Sequence, residues 1–188
     1  MRVEGDEGSG LQISKNMLSF DRHKLSAEGK MLKTVYIESS VISYLTSRPS
    51  RDVVTSARQK ITIEWWKSYR DCYELFISEL VIEEISSGNA VAANSRLAVV
   101  ENIAVLVATE SARNLAKTLI GEKAIPPTNV EDAMHISIAA VQGIEFLLTW
   151  NFKHINNANT RQKLDKVIKA VGYTCPILCS PEELINDQ

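Results

Sequence analysis

The sequence has little of what marks several large classes of protein. Its 188 residues include only eight glycines and five prolines, too few for a collagen-like or low-complexity chain. Three cysteines are an odd number and cannot form a disulfide framework. No stretch approaches the roughly 20 uninterrupted apolar residues of a membrane helix, and the polar first ten residues lack the apolar core of a secretory signal. We therefore predict an intracellular, cytoplasmic protein without a membrane segment.

The sequence also lacks a large excess of positive or negative charge. The formal net charge is −2, so nucleic acid would have to bind a local patch rather than bulk positive charge.

Four of the eight glycines fall within residues 1–30, which show no lasting apolar period. We interpret residues 1–30 as a disordered leader or upstream extension, Met31 as the natural start, and 31–188 as a single domain with ample apolar mass for a core.

What is present from Met31 onward is an alternation of short β-rich runs with helical stretches. The pattern predicts strands at 34–37, 73–77, 104–108, 144–148 and 177–178. It predicts helices at 41–46, 53–70, 79–86, 90–102, 111–120, 130–142 and 160–171. Such alternation is typical of an α/β fold, a three-layer α/β/α arrangement around a mostly parallel central sheet.

Ligands of open parallel sheets bind beyond the carboxyl ends of the strands, where this sequence has few polar residues. Glu38 follows the first strand, Asn151 follows the fourth, and the helices that carry Glu84 and Asp132 begin at the same edge. Helical geometry places Glu84 within an apolar arc, and Asp132 shares a stripe with Ile136. A carboxylate on the buried side of a helix is costly unless it is paired.

Two acids that point inward at one edge require a cation. We interpret Glu38, Glu84, Asp132 and Asn151 as a site for Mg²⁺ or Mn²⁺, which prefer oxygen ligands. The alternative is that Glu84 and Asp132 satisfy helix N-termini or pair with a nearby Arg or Lys.

Four segments, in this order, resemble the motifs of PIN-domain ribonucleases. They are VYIESSVI at 35–42, SELVIEEI at 78–85, EDAMHI at 131–136 and LLTWN at 147–151, where asparagine takes the last acidic place. The length and order resemble the VapC-type toxins of prokaryotic toxin–antitoxin pairs, over roughly residues 34–181.

The resemblance implies a PIN-like fold and a metal-dependent endoribonuclease that cuts tRNA or rRNA, forms a homodimer and is sequestered by a small antitoxin. The metal ligands for Mg²⁺ or Mn²⁺ would be the three carboxylates, Glu38, Glu84 and Asp132. Asn151 would be an auxiliary ligand or position a water, and Ser40 and Thr149 would lie directly behind the ligands, with Ser40 orienting Glu38.

Two departures from the family pattern keep other functions open. The first acid is usually aspartate, and Glu38 is one methylene longer; Asn151 removes a negative charge and would weaken a second metal site. A catalytically weak or inactive PIN-like module that binds RNA or a protein partner is therefore the alternative. An α/β phospho-acceptor domain ranks last, because Glu38 is not an aspartate.

Other candidates carry a weaker signal. His135, Lys153 and His154 lie near the acidic motifs and are expected to contact substrate, although each is equally compatible with an ordinary polar position. Residues 152–170 contain five Lys or Arg and one Asp, which is typical of a solvated helix face but could follow an RNA backbone.

Trp65 and Trp66 follow helical spacing, which favours a core or subunit contact over base stacking. We predict that helix 53–70, with both tryptophans, forms an exposed contact surface.

Overall fold

The computed structural model describes residues 29–185. The leader predicted for 1–30 lies outside this range except for its last two residues, and it stays a prediction. The strands are β1 (Lys33–Ile37), β2 (Tyr73–Ser78), β3 (Ala104–Leu106), β4 (Phe146–Leu148) and β5 (Ile177–Cys179). The helices are α1 (Ser39–Thr46), α2 (Val53–Ser68), α3 (Glu79–Ser86), α4 (Ala90–Val100), α5 (Glu110–Gly121), α6 (Val130–Val141), α7 (Ala158–Ala170) and α8 (Pro181–Ile185), with a 3₁₀ turn at Arg70–Cys72.

The five strands form one parallel sheet in the order β3-β2-β1-β4-β5. β1 is the central strand and pairs with both β2 and β4, so that Ile37 lies opposite Leu148. Three successive residues of β1, Val35, Tyr36 and Ile37, are fully buried. Burial on both faces is what a central strand of a parallel sheet requires, and the predicted parallel sheet is confirmed.

Helices cover both faces of the sheet. The chain moves outward from β1 to β3 through α1–α4, and then crosses back to β4 and β5 through α5–α7. Right-handed crossovers in opposite directions place these two sets on opposite faces. The helix contacts fall into the same sets, α1–α4 with α8 against α2, and α5 with α6 and α7. The predicted three-layer α/β/α fold is confirmed, and within residues 29–185 no helix is long and apolar enough to span a bilayer.

Two strands lead directly into helices at the carboxyl edge of the sheet. Glu38 directly follows β1 and caps α1, where its side chain accepts a hydrogen bond from the backbone N–H of Ser40. Ser78 ends β2 and caps α3, where its hydroxyl accepts from the N–H of Val81. Such caps satisfy amides that have no partner within the helix. They also bring the first turns of both helices to one edge.

The tryptophans of α2 belong to the core, so the predicted contact surface was wrong about them. Trp65 is 0% exposed and Trp66 is 8% exposed. The ring of Trp65 stacks on Tyr73, with ring centroids 6.1 Å apart. The exposed apolar side chains of α2 are instead Val53 and Val54 at its first turn.

Candidate active site

Glu38 lies at the centre of the carboxyl edge and is 5% exposed. Its Oε1 accepts hydrogen bonds from the Ser39 hydroxyl at 2.8 Å and the Ser40 amide at 3.1 Å. Its Oε2 accepts from the Thr149 hydroxyl at 2.7 Å and from the Ser40 hydroxyl. Four donors therefore hold one carboxylate in a single orientation.

The same two hydroxyls fix the turn after β4. The Ser40 hydroxyl accepts from the Trp150 amide at 2.9 Å, and the Thr149 hydroxyl accepts from the Asn151 amide at 2.8 Å. The structure thus places the hydroxyls of Ser40 and Thr149 against Glu38, the two residues that the resemblance implied behind the ligands. Their effect is to lock the start of α1 to the end of β4.

Glu84 faces the same edge from α3 and is bound to a buried histidine. The Nε2 of His135 lies 3.2 Å and 3.1 Å from the two oxygens of Glu84. Its Nδ1 lies 2.8 Å from the Tyr36 hydroxyl, which lies 2.6 Å from the Ser78 hydroxyl. An Nε2–H that donates to Glu84 leaves Nδ1 free to accept from Tyr36, which in turn accepts from Ser78. One continuous chain of hydrogen bonds therefore runs from Glu84 to the end of β2.

His135 differs from the substrate-facing position expected for it. Its side chain is 1% exposed and both ring nitrogens are engaged within the protein. The sequence signal was an imidazole in the otherwise nearly apolar α6, because a buried polar group must find partners. Lys153 is exposed and His154 is half-buried beside Asn151, so those two lie at the rim of the site.

The pKa values of the Glu84 and Tyr36 side chains follow from this chain. Burial raises the pKa of Glu84, but the hydrogen bond and the charge of His135 are the chief causes that outweigh it, and the pKa lies below its ordinary value of 4.5. Burial also raises the pKa of Tyr36 far above its ordinary value, so the phenol stays neutral. His135 therefore stabilises Glu84 as an anion, and the neutral Tyr36 continues the chain of hydrogen bonds to Ser78.

Asp132 lies in the first turn of α6 and is held by two amide side chains. Asn129 donates to its Oδ2 at 2.7 Å, and Asn151 donates to its Oδ1 at 2.9 Å. Burial raises the pKa of Asp132 above its ordinary value of 3.8, although Asn129 and the imidazoles of His154 and His135 act against the rise. Asn151 also accepts from the backbone amide of His154 at 3.1 Å, so both ends of its amide are engaged.

The donor set at this edge fits a divalent cation. Ligand-type atoms of Glu38, Glu84 and His135 lie within 4.8 Å of one another, and because both nitrogens of His135 are engaged, the two glutamates would supply the ligand oxygens. Asp132 lies outside this triad, but Glu38 is near enough to raise its pKa. A set dominated by carboxylates suits Mg²⁺ or Mn²⁺. The structure therefore brings Glu38 and Glu84 close together at the sheet edge, with Asp132 nearby and bound to Asn151.

No family model and no curated protein matches the sequence. Among solved structures, the chain is similar to VapC20 of Mycobacterium tuberculosis, described as a sarcin–ricin loop cleaving toxin, with 14% identity, a TM-score of 0.49, and coverage of 74% of this chain and 96% of that one. It is also similar to VapBC2 of Rickettsia felis, solved with a DNA fragment from its promoter, with 15% identity, a TM-score of 0.48, and coverage of 78% and 98%. Both are VapC-type structures, and this chain is similar to them in fold at low identity.

Proposed function

We propose that this chain is a metal-dependent endoribonuclease that hydrolyses RNA phosphodiester bonds, and that it acts as the toxin of a VapC-type toxin–antitoxin pair. The observation that carries the proposal is the gathering of Glu38, Glu84 and Asp132 at the carboxyl edge of the sheet, each held by its own donors. The four sequence motifs that resemble PIN-domain ribonucleases support it.

Each residue of the site has a distinct task in this proposal. Glu38, Glu84 and Asp132 would hold Mg²⁺ or Mn²⁺. A bound divalent cation neutralises charge on the phosphate and lowers the pKa of a bound water. Two further residues act through these ligands: His135 fixes the orientation of Glu84, and Asn151 fixes that of Asp132.

A second candidate function is a PIN-like module that binds RNA or a protein partner and cuts slowly or not at all. It is favoured by the state of Glu38, whose two oxygens already accept four hydrogen bonds. A cation must compete with those donors. It is also favoured by Asn151, which supplies no negative charge.

The partners proposed from the resemblance are an RNA of the tRNA or rRNA class, a small antitoxin and a second copy of this chain. Because Trp65 and Trp66 are buried, they offer no contact for a dimer. Light scattering of the purified chain measures its oligomeric state directly.

The decisive experiment is cleavage of a labelled panel of tRNAs and rRNA fragments with Mg²⁺, with Mn²⁺ and with EDTA. Glu84→Ala and Asp132→Ala are expected to lose about 100-fold or more in rate, because each removes a charge from the site. Glu83→Ala is the matched control, since Glu83 is an exposed neighbour on the same helix. Cleavage that persists in EDTA, or in Asp132→Ala, would contradict the proposal. Metal binding without cleavage would favour the second candidate.

A further inference from the structure

A cluster of aromatic rings around one arginine adjoins the acidic site, and the site described above does not use it. The guanidinium carbon of Arg58 lies 5.1 Å from the ring centroid of Phe152, 5.4 Å from that of Trp150 and 6.0 Å from that of Tyr44. These four residues are called the Arg58 cluster. Phe152 directly follows Asn151, so its Cα lies about 3.8 Å from that of the residue that holds Asp132.

Most of the Arg58 cluster is explained by packing. Trp150 is 5% exposed, and its indole N–H donates to Thr62 at 2.8 Å. Tyr44 is half-buried, its ring centroid lies 5.9 Å from that of Trp150, and its hydroxyl accepts from Arg58 at 3.3 Å. These contacts fix the guanidinium over the rings. The cluster is therefore a rigid support rather than a set of mobile side chains.

Phe152 is the member that packing does not explain. Its side chain stands edge-on to Trp150, with centroids 5.8 Å apart, yet it is 38% exposed. Its backbone amide donates to the carbonyl of Trp150 at 3.0 Å, which fixes the turn that presents the ring. An aromatic ring held by Trp150 and Arg58 is thus offered to solvent one residue after Asn151, which binds Asp132.

We propose that Phe152, backed by Arg58, stacks on a nucleobase of a single-stranded RNA whose phosphodiester lies at the acidic site. This inference rests on the proposed function, because it assumes that the substrate is RNA. Every base has a π-face, and aromatic rings and arginine planes are the surfaces on which unpaired bases stack. A duplex keeps its bases stacked inside the helix, so the substrate class is a loop or an unpaired segment.

Charge favours RNA over a protein partner at this position. The carboxylates of the site repel a phosphate backbone, and positive charge must bring the strand close. Arg58 supplies it within the cluster, and Lys153, the residue after Phe152, is exposed. An aromatic ring with Arg58 against it and Lys153 next in the chain suits the alternating bases and phosphates of a single strand.

The test is binding of a labelled single-stranded RNA octamer by the full chain in EDTA, which suspends metal-dependent cleavage, followed by fluorescence anisotropy. Phe152→Leu is expected to weaken binding about 10-fold, the loss typical of one stacked base. Phe152→Trp is expected to bind at least as well as the wild type, a rescue that a purely steric role would not give. A duplex of the same sequence is expected to bind weakly and equally in all variants.

Controls separate this inference from the proposed function. Ile177→Ala removes another exposed apolar side chain, on β5, and is expected to leave binding unchanged. Wild-type affinity retained in Phe152→Leu, or no RNA binding by the wild type, would overturn the inference. If the wild type cleaves RNA but binding does not depend on the Phe152 ring, the proposed nuclease activity is supported and the stacking role is contradicted. RNA binding that depends on the Phe152 ring, without cleavage, would support the stacking role and contradict the proposed nuclease activity.

Discussion

Two halves of the acidic site hold their carboxylates in different ways. The Glu84 half consists of Glu84, His135, Tyr36 and Ser78. The Asp132 half consists of Asp132, Asn129 and Asn151. The first is a chain of hydrogen bonds that passes through the interior to β2, whereas the second is a pair of amide contacts at the start of α6 and the end of β4.

The pKa values of the two carboxyls move in opposite directions as a result. His135 holds the pKa of Glu84 below its ordinary value, whereas burial holds that of Asp132 above it. The protein alone therefore stabilises one anion and leaves the other short of positive charge. Under the proposed function, a bound cation would offset the burial of Asp132, whereas His135 already stabilises the anion of Glu84.

Replacing His135 is expected to have the largest effect, because it breaks the Glu84 half. His135→Ala leaves Glu84 without its partner, removes one contact of Tyr36 and opens a cavity, at a cost of about 3 kcal/mol in the free energy of unfolding. Urea denaturation measures the change. His154→Ala, at the half-buried histidine beside Asn151, is the control and is expected to cost less than about 1 kcal/mol. Equal losses in the two variants would contradict a special role for the buried chain.

Adding charge to the Asp132 half is expected to have the next largest effect. Asn151→Asp places a fourth carboxylate beside Asp132, and the affinity for Mn²⁺ measured by titration calorimetry is expected to rise about 10-fold. Without metal, the same variant is expected to be less stable, because the two carboxylates repel each other.

Asn94→Asp, on the exposed face of α4, controls for the change in net charge. Unchanged Mn²⁺ affinity in Asn151→Asp would show that Asp132 does not contribute to the cation site.

Removing the other amide of the Asp132 half is expected to have a smaller effect. Asn129→Ala deletes the 2.7 Å hydrogen bond to Asp132, which is expected to cost about 1 kcal/mol of stability. The pKa of Asp132 is expected to rise further, because that hydrogen bond lowers it. Thermal unfolding beside Asn114→Ala, an exposed amide on α5, measures the difference. A variant as stable as this control would argue that the contact is incidental.

The smallest expected effect is in the pH dependence of stability, which is expected to have opposite signs for Glu84 and Asp132. Because the folded-state pKa of Glu84 lies below 4.5, its contribution is present above pH 4.5 and is lost as the pH falls through the folded-state pKa. Because that of Asp132 lies above 3.8, its contribution is present below pH 3.8 and is lost as the pH rises.

Unfolding free energies in EDTA, from about pH 3 to pH 7, test these signs. The stability of the wild type relative to Glu84→Gln is expected to fall on acidification, and its stability relative to Asp132→Asn is expected to rise. The same sign for both differences would contradict the comparison.

Most helices and strands could be predicted from local sequence patterns. Features that depend on long-range contacts could not. The helix predicted at 79–86 coincides with α3, because its cap and apolar arc are local. The fourth strand begins at Phe146 rather than at residue 144, since the amide of Ile144 bonds back to Ala139 around Gly143, at φ 68°, to end α6. The helix α8 was not predicted, because five residues show no apolar period.

Some features of the candidate site could likewise be predicted from the sequence, and others could not. The position of Glu38 after a strand and of Asp132 on a buried stripe could be inferred from the sequence alone. The role of His135 could not, because its partner Tyr36 lies 99 residues away. The burial of Trp65 against Tyr73 also depends on tertiary packing, which spacing along one helix does not reveal.

The hydrogen bond between Thr149 and Glu38 joins residues 111 positions apart, and this separation determines when the site can exist. During synthesis β1, β2 and α3 leave the ribosome long before α6 and β4, so a partly made chain carries Glu38 and Glu84 without Asp132. Closing such a long loop is slow, because its entropic cost is offset only when β4 pairs with β1. A chain that ends before β4 therefore contains all three acids but lacks the Thr149 and Asn151 contacts that hold Glu38 and Asp132.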